Sequence, residues 1–153
     1  MGRKGKTMKT KQLSTFVDNR PGRLAELCRI LRENGIDLRA LSVVDAMEFG
    51  IVRLIVGDPD GAAKILEDRG YLCQVAEVVI VAMQDRPGAF GEILDVLTNA
   101  GVNIDATYTC LPKEKDRAYL VLKVKDTEGA EACLRTAGVE IVTSEKLAEL
   151  FGE

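Results

Sequence analysis

The chain has 153 residues, 46% hydrophobic and 29% charged, with a formal net charge of −3, as expected for a soluble globular protein of one or two small domains. It contains no histidine, which excludes Ser-His-Asp and Cys-His nucleophile systems and removes the commonest metal ligand. Residues 1–11 hold five of the basic residues and no acid, leaving 16 bases against 24 acids in the remainder, and an acidic body argues against a nucleic-acid surface. The basic tail reads as a flexible extension. No apolar run reaches 18 residues and the N-terminus lacks a signal-peptide core, so neither a membrane span nor export is expected. The four cysteines, Cys28, Cys73, Cys110 and Cys133, form no C-x-x-C pair. They read as reduced thiols of a cytoplasmic protein, with Cys28 and Cys133 on apolar helix faces where packing is their expected role.

In chain order, Gln12 to Val17 alternates as a strand. Pro21 suits the first turn of a helix running from about Gly22 to Asn34, with Leu24, Leu27, Cys28 and Leu31 on one face. Asn34-Gly35 stops it. A strand from Ile36 to Val44 follows, with Ile36, Leu38 and Ala40 on one face, and then a strand from Ile51 to Val56. Asp58-Pro59 caps a second helix that ends at Gly70, and Tyr71 to Ala76 is a fourth strand. The second half repeats the order. Val78 to Met83 is a strand, Gly88 to Ala100 a helix with Phe90, Ile93, Leu94 and Leu97 inward, and Val102 to Cys110 a strand. A polar turn over 111–116 leads to the strand Tyr119–Leu122. Asp126 or Thr127 caps a helix, Val139 to Val142 is the last strand, and Ser144 to Phe151 is a short terminal helix.

One stretch occurs twice: Asn19-Arg20-Pro21-Gly22-Arg23-Leu24 with a later Gly35-Ile36-Asp37-Leu38, and Asp85-Arg86-Pro87-Gly88-Ala89-Phe90 with Gly101-Val102-Asn103-Ile104. A repeat at fixed spacing governs the architecture. Each β-α-β-β-α-β half predicts a ferredoxin-like α+β unit, an antiparallel sheet with two helices on one face. The expected division is a basic tail over 1–11, a first unit over 12–76 and a second over 77–153, the two packed as one pseudo-twofold body. Each repeated stretch places a glycine and the open amides of a helix start in front of whatever approaches, a receptor for a carboxylate.

These residues carry a resemblance. The pattern strand–(Asn/Asp)-Arg-Pro-Gly-x-(Leu/Phe)–helix–Gly-(Ile/Val)-(Asp/Asn)-(Leu/Ile) resembles the ACT domain, a small-molecule regulatory module of amino-acid metabolism. Asp45 to Arg53 and Asp58-Pro59-Asp60 further resemble stand-alone tandem-ACT, amino-acid-binding proteins. The resemblance spans about residues 11–150. It implies a ligand, usually an amino acid, held by the loop before each first helix and by the start of each second strand. By position these are Asn19, Pro21, Gly22, Arg23, Leu24, Asp37 and Leu38, then Asp85, Pro87, Gly88, Ala89, Phe90, Asn103 and Ile104. The chemistry agrees: helix-start amides take the carboxylate, and an Asp or Asn takes the ammonium. Plainer roles stay open beside it. Asn19 and Asp85 suit Asx turns, Asp37 and Asn103 suit strand starts, Arg20 and Arg86 suit solvent, and Phe90 suits the core.

The expected function is a regulatory or sensor protein, allosteric and not an enzyme, needing no cofactor or metal. Its expected ligand is a free amino acid with an apolar or aromatic side chain, because Leu24, Leu38, Phe90 and Ile104 surround the proposed cage. The alternative is a regulatory subunit of a separately encoded catalytic partner. A homodimer is expected from the exposed sheet edges. An RNA-binding RRM shares the strand order but needs aromatics on its central strands and basic charge. A metal chaperone of this fold needs paired thiols in its first loop. The swap of Asn and Asp between the copies predicts unequal sites: pairing across the halves joins Asn19 with Asn103 and Asp85 with Asp37, whereas sites built within a half would be alike.

Overall fold

A computed structural model describes residues 9–111 and 116–152. Two units emerge, residues 11–76 and residues 77–152, the second joined by Lys9 and Thr10.

In the first unit the elements are β1 (Lys11–Asp18), α1 (Arg23–Glu33), β2 (Leu38–Ala46), β3 (Phe49–Val56), α2 (Pro59–Asp68) and β4 (Cys73–Glu77). The sheet order is β2-β3-β1-β4. Alternation in β1 buries Leu13, Thr15 and Val17, and register sets Leu13 beside Leu54 and Thr15 beside Val52. That face closes on Leu27, Ile30 and Leu31 of α1 and Ala62, Ala63 and Leu66 of α2. The one hydroxyl in the row is satisfied, since Thr15 Oγ1 donates to the Leu72 carbonyl at 2.7 Å.

The second unit repeats this with β5 (Val79–Gln84), α3 (Ala89–Asn99), β6 (Ala106–Thr109), β7 (Arg117–Lys123), α4 (Thr127–Thr136), β8 (Glu140–Ile141) and a terminal α5 (Ser144–Leu150). Its sheet order is β6-β7-β5-β8. Val79 pairs with Leu122 as Leu13 does with Leu54, and the core again joins sheet to two helices through Ile93, Leu97, Ala130 and Leu134. Each unit is therefore the expected ferredoxin-like α+β fold. Of the two candidates for the α4 cap, Asp126 fills the role, accepting from the Gly129 N–H at 3.0 Å.

Several local expectations are corrected. Pro21 and Pro87 lie outside the helices, which begin at Arg23 and Ala89 with Gly22 and Gly88 at the N-caps. Those glycines have φ of 89° and 88°, a left-handed conformation that other residues adopt only at a cost. In β2 the pairing shifts between Leu38 and Ala40. This bulge re-aims the strand, so that Leu41, rather than Ala40, joins Leu38 against the helices. The strand expected from Val102 starts only at Ala106. Phe90 is 36% exposed, because the buried stripe of α3 is Ala89, Ile93 and Leu97 and Phe90 lies at its edge in the first turn, about 60° from the stripe's centre. Cys28 is half-buried and stands outside the first unit's core cluster, whereas Cys133 packs on the second's. The basic segment is placed from residue 9 on: Lys9 pairs with Glu131 at 3.4 Å, Thr10 is buried, and Lys11 opens β1. Residues 1–8, and 112–115 of the polar turn, lie outside the described residues.

Candidate functional site

The two repeated loops have the same backbone. In the first, the Arg23 N–H closes on Arg20 O at 3.3 Å and the Glu26 N–H on Gly22 O at 3.0 Å; in the second, Ala89 closes on Arg86 at 3.2 Å and Glu92 on Gly88 at 3.1 Å. No side chain caps either helix. Among the described residues the amides of Leu24, Ala25, Phe90 and Gly91 therefore have no partner at these helix starts. A Cβ built on Gly22 or Gly88 meets nothing within 4 Å, so the space ahead of the open amides is clear. Each helix start thus combines free donors, the positive end of a helix dipole and open approach, the elements of a carboxylate receptor.

The loops are anchored from the side by hairpins that sequence reasoning did not include. The Asn19 N–H donates to Glu48 O at 2.9 Å, and its amide side chain donates to Met47 O at 3.4 Å and Asp45 Oδ1 at 3.5 Å. Met47 itself has φ of 65°. In the second unit the Asp85 N–H donates to Asp116 O at 2.9 Å, and Asp116 has φ of 63°. The matching signal was the pair of strained hairpin corners, visible only once the register is known. The Asn19 donors, its backbone N–H and Nδ2, are thereby committed to the hairpin. The Asp85 carboxylate has no partner among the described residues.

Within a unit the candidate residues fall into two groups. Asn19, Pro21, Gly22, Arg23 and Leu24 gather at the start of α1, while Asp37 and Leu38 follow its end. Eleven helical residues separate them, about 16 Å at 1.5 Å each. Asp85, Pro87, Gly88, Ala89 and Phe90 are likewise separated from Asn103 and Ile104 by α3. A cage built from the loop and second strand of one unit is not formed. Asp37 has local work, its carbonyl accepting from the Gly57 N–H at 3.2 Å and its carboxylate standing 3.7 Å from Arg39 Nε. Asn103 donates to Asp105 Oδ1 at 3.0 Å. Asp37 thus stands at the entry to β2, and Asn103 lies three residues ahead of β6.

The flanks of the loops differ. In the first unit Arg23 stands 3.2 Å from Glu26 and 3.8 Å from Asp18, Arg20 stands 2.8 Å from Asp18, and the Tyr71 hydroxyl donates to Glu26 Oε1 at 3.1 Å. Burial and the Glu26 carboxylate together raise the Tyr71 pKa above its ordinary value. The groove there measures about 250 Å³. In the second unit a pocket of about 810 Å³ opens between the end of β5, the start of α3 and the α4–β8 turn. Arg86 stands 2.7 Å from Glu92, a pair that raises the arginine pKa and lowers the glutamate's. Arg117 is paired with Glu140 and lies 5.6 Å from the Tyr119 ring centroid. Among the described residues no group of His, Cys, Asp and Glu could hold a metal ion, and no helix is long and apolar enough to cross a membrane.

A family model described as an ACT domain pair matches residues 8–151. Among solved structures, a protein from Bacteroides thetaiotaomicron superposes with a TM-score of 0.84 at 32% identity, covering 92% of this chain and 96% of that one. The ligand-free regulatory subunit of aspartate kinase from Thermus thermophilus superposes at 0.67 with 17% identity over 86% of this chain and 92% of that one. The corresponding subunit from Thermus flavus gives 0.60, 15%, 87% and 95%. At those identities the likeness to the two kinase subunits is one of fold. No curated protein matches the chain.

Proposed function

The chain belongs to the ACT domain pair family, and from that premise we propose that it is a regulatory protein that binds a free amino acid and is not itself a catalyst. The observation that carries the reading is the doubled helix start, with two open amides and a left-handed glycine in clear space each time. The carboxylate of the ligand lies on those amides, and a neighbouring Asp or Asn receives its ammonium. Asp85 is the stronger acceptor, because it offers a charged carboxylate with no partner among the described residues, whereas Asn19 offers only a neutral amide oxygen whose nitrogen is turned to the hairpin. An apolar or aromatic side chain fits the exposed Phe90 beside the second loop.

Thermal shift with the twenty amino acids tests this, since a ligand that binds only the folded chain raises its stability by RT ln(1 + [L]/Kd). An affinity of about −4 to −8 kcal/mol, millimolar to micromolar, is expected. No shift with any of the twenty at millimolar concentration defeats the proposal. Gly88→Asp places a carboxylate where the ligand's own belongs, in a residue type that tolerates φ near +90° better than most. It is expected to abolish the response, whereas Gly22→Asp changes it little. Equal losses at both positions would reject unequal sites.

A second reading makes this chain a regulatory subunit of a separately encoded enzyme. It draws on its fold-level likeness to the Thermus thermophilus subunit, nearly all of which is covered. Purification from the native cell separates the readings, because a sensor elutes without an enzyme and a subunit brings one. Dimerisation of the chain in a cytoplasmic setting belongs to the same proposal, and light scattering with and without ligand checks the dimer.

A further inference from the structure

The grooves beside the two loops are the same place in the repeat. Tyr71 and Val139 follow Gly70 and Gly138, and their amides close on Leu66 O and Leu134 O at 3.0 and 2.9 Å. Arg23 and Ala89 are each the first residue of their helix, and Glu26 and Glu92 stand three residues further on. In the first unit the groove contains a guanidinium held by two carboxylates and a phenol bonded to one of them. In the second unit Ala89 stands for the arginine and Val139 for the tyrosine, while Glu92 keeps the glutamate's place. The space grows from about 250 to about 810 Å³. A pocket of that size falls in the range of small-molecule sites.

We propose that this pocket of the second unit binds a small organic cation, a guanidinium or ammonium on an apolar body, in the place that Arg23 and Tyr71 fill in the first. Four carboxylates line it, from Asp85, Glu92, Asp116 and Glu140, against two arginines, Arg86 and Arg117. Each arginine already has a glutamate, Glu92 and Glu140. Asp85 and Asp116 retain no side-chain partner among the described residues. Among the described residues the uncompensated charge of the walls is therefore negative, and a cation gains where an anion is repelled. Met83, Ile93 and Val96 supply apolar lining for the body. The pocket shares Asp85 and Ala89 with the proposed amino-acid receptor but extends away from its amides toward the α4–β8 turn.

Calorimetry on the full chain decides the matter, with agmatine and phenethylamine as probe cations and hexanoate as the anion control. One cation site per chain is expected, weakened by added salt, with no response to hexanoate. Val139→Tyr rebuilds half of the first unit's filling and places a hydroxyl toward Glu92. It is expected to weaken cation binding about tenfold or more, a loss readable as a change in Kd, while Val139→Ala leaves the site open and retains binding. Thermal melting of both variants establishes that they fold. The proposal is overturned by no cation binding at millimolar concentration, by equal binding of hexanoate, or by Val139→Tyr binding the probes as the wild type does. It is also overturned if Val139→Ala loses binding. The amino-acid response is measured on the same variants. Its absence alone defeats the receptor reading and leaves the cation site standing, and the reverse holds equally.

Discussion

The two units have cores of matching construction and differ at the groove beside the repeated loop. Leu13, Leu54 and Leu66 in the first unit and Val79, Leu122 and Leu134 in the second are all at most 1% exposed, and they occupy matching places between sheet and helices. Beside the loops the match ends. Asp18, Arg23, Glu26 and Tyr71 form a closed set of polar contacts, whereas Gln84, Ala89, Glu92 and Val139 leave a pocket. The lesson is that the repeat is held in register by apolar burial, which cannot vary cheaply, while half-exposed polar groups at the rim can be exchanged at small cost. Divergence between the units is therefore concentrated where a ligand could use it.

The largest expected effect tests the shared half of that comparison. Leu54→Ala and Leu122→Ala each remove a fully buried side chain at matched register positions. Each is expected to lower stability by about 2–5 kcal/mol, the range for deleting a packed leucine and leaving a cavity. Urea unfolding followed by circular dichroism measures both. Costs that differ by more than about 2 kcal/mol, beyond ordinary context variation, would mean that the cores are not equivalent below the groove.

A smaller effect tests the divergent half. Tyr71→Phe removes one hydroxyl from Glu26 and is expected to cost about 0.5–1.5 kcal/mol. Val139→Tyr adds a ring where the second unit has room, and is expected to change stability by no more than about 0.5 kcal/mol either way. If Val139→Tyr destabilises as an overpacked core residue does, by about 1–3 kcal/mol, the pocket is not open space.

What the residues disclosed, and what they withheld, follows the same division. Period-2 and period-3.6 patterns and the doubled Arg-Pro-Gly stretch were enough for element order and for the ferredoxin-like class, because burial writes itself into spacing. The left-handed glycines were legible as needed glycines, yet their place at the N-cap was misjudged. Pro21 is as compatible with the turn before a helix as with its first turn, and φ at the next residue decides between them. The bulge at Leu38–Ala40 left no mark, since Ala40 is buried on either reading. Most of the site was hidden for a different reason. Arg23 meets Glu26 three residues on, but Tyr71 reaches Glu26 across 45 residues, and Asn19 reaches Met47 and Asp45 through a hairpin. Such partners depend on sheet register and turn geometry, which side-chain spacing does not encode.

A last effect is read on the alkaline side, where burial keeps Tyr71 and Cys73 of the first unit and Cys110 of the second protonated. In the first, Tyr71 is raised by desolvation and then by its bond to Glu26. In the second, burial alone pushes Cys110 up to about 12 from an ordinary value of 9.0. Both groups are neutral when protonated, so the folded state holds the proton longer than the unfolded chain does. Above the unfolded pKa the folded form binds more protons, and stability falls with pH at up to about 1.4 kcal/mol per unit for each such group. The contribution is complete below about pH 9 for the cysteine and below about pH 10 for the tyrosine, and it is lost as pH climbs through the folded values. Tyr71 is only partly withdrawn from solvent, so screening makes its share the smaller. Urea unfolding between about pH 8 and 11 is expected to show a declining stability in the wild type. The decline should be shallower in Cys110→Ser and slightly shallower in Tyr71→Phe. An unchanged slope in Cys110→Ser would show that its thiol is not held protonated by burial, and a larger effect at Tyr71 than at Cys110 would reverse the ranking of the two groups.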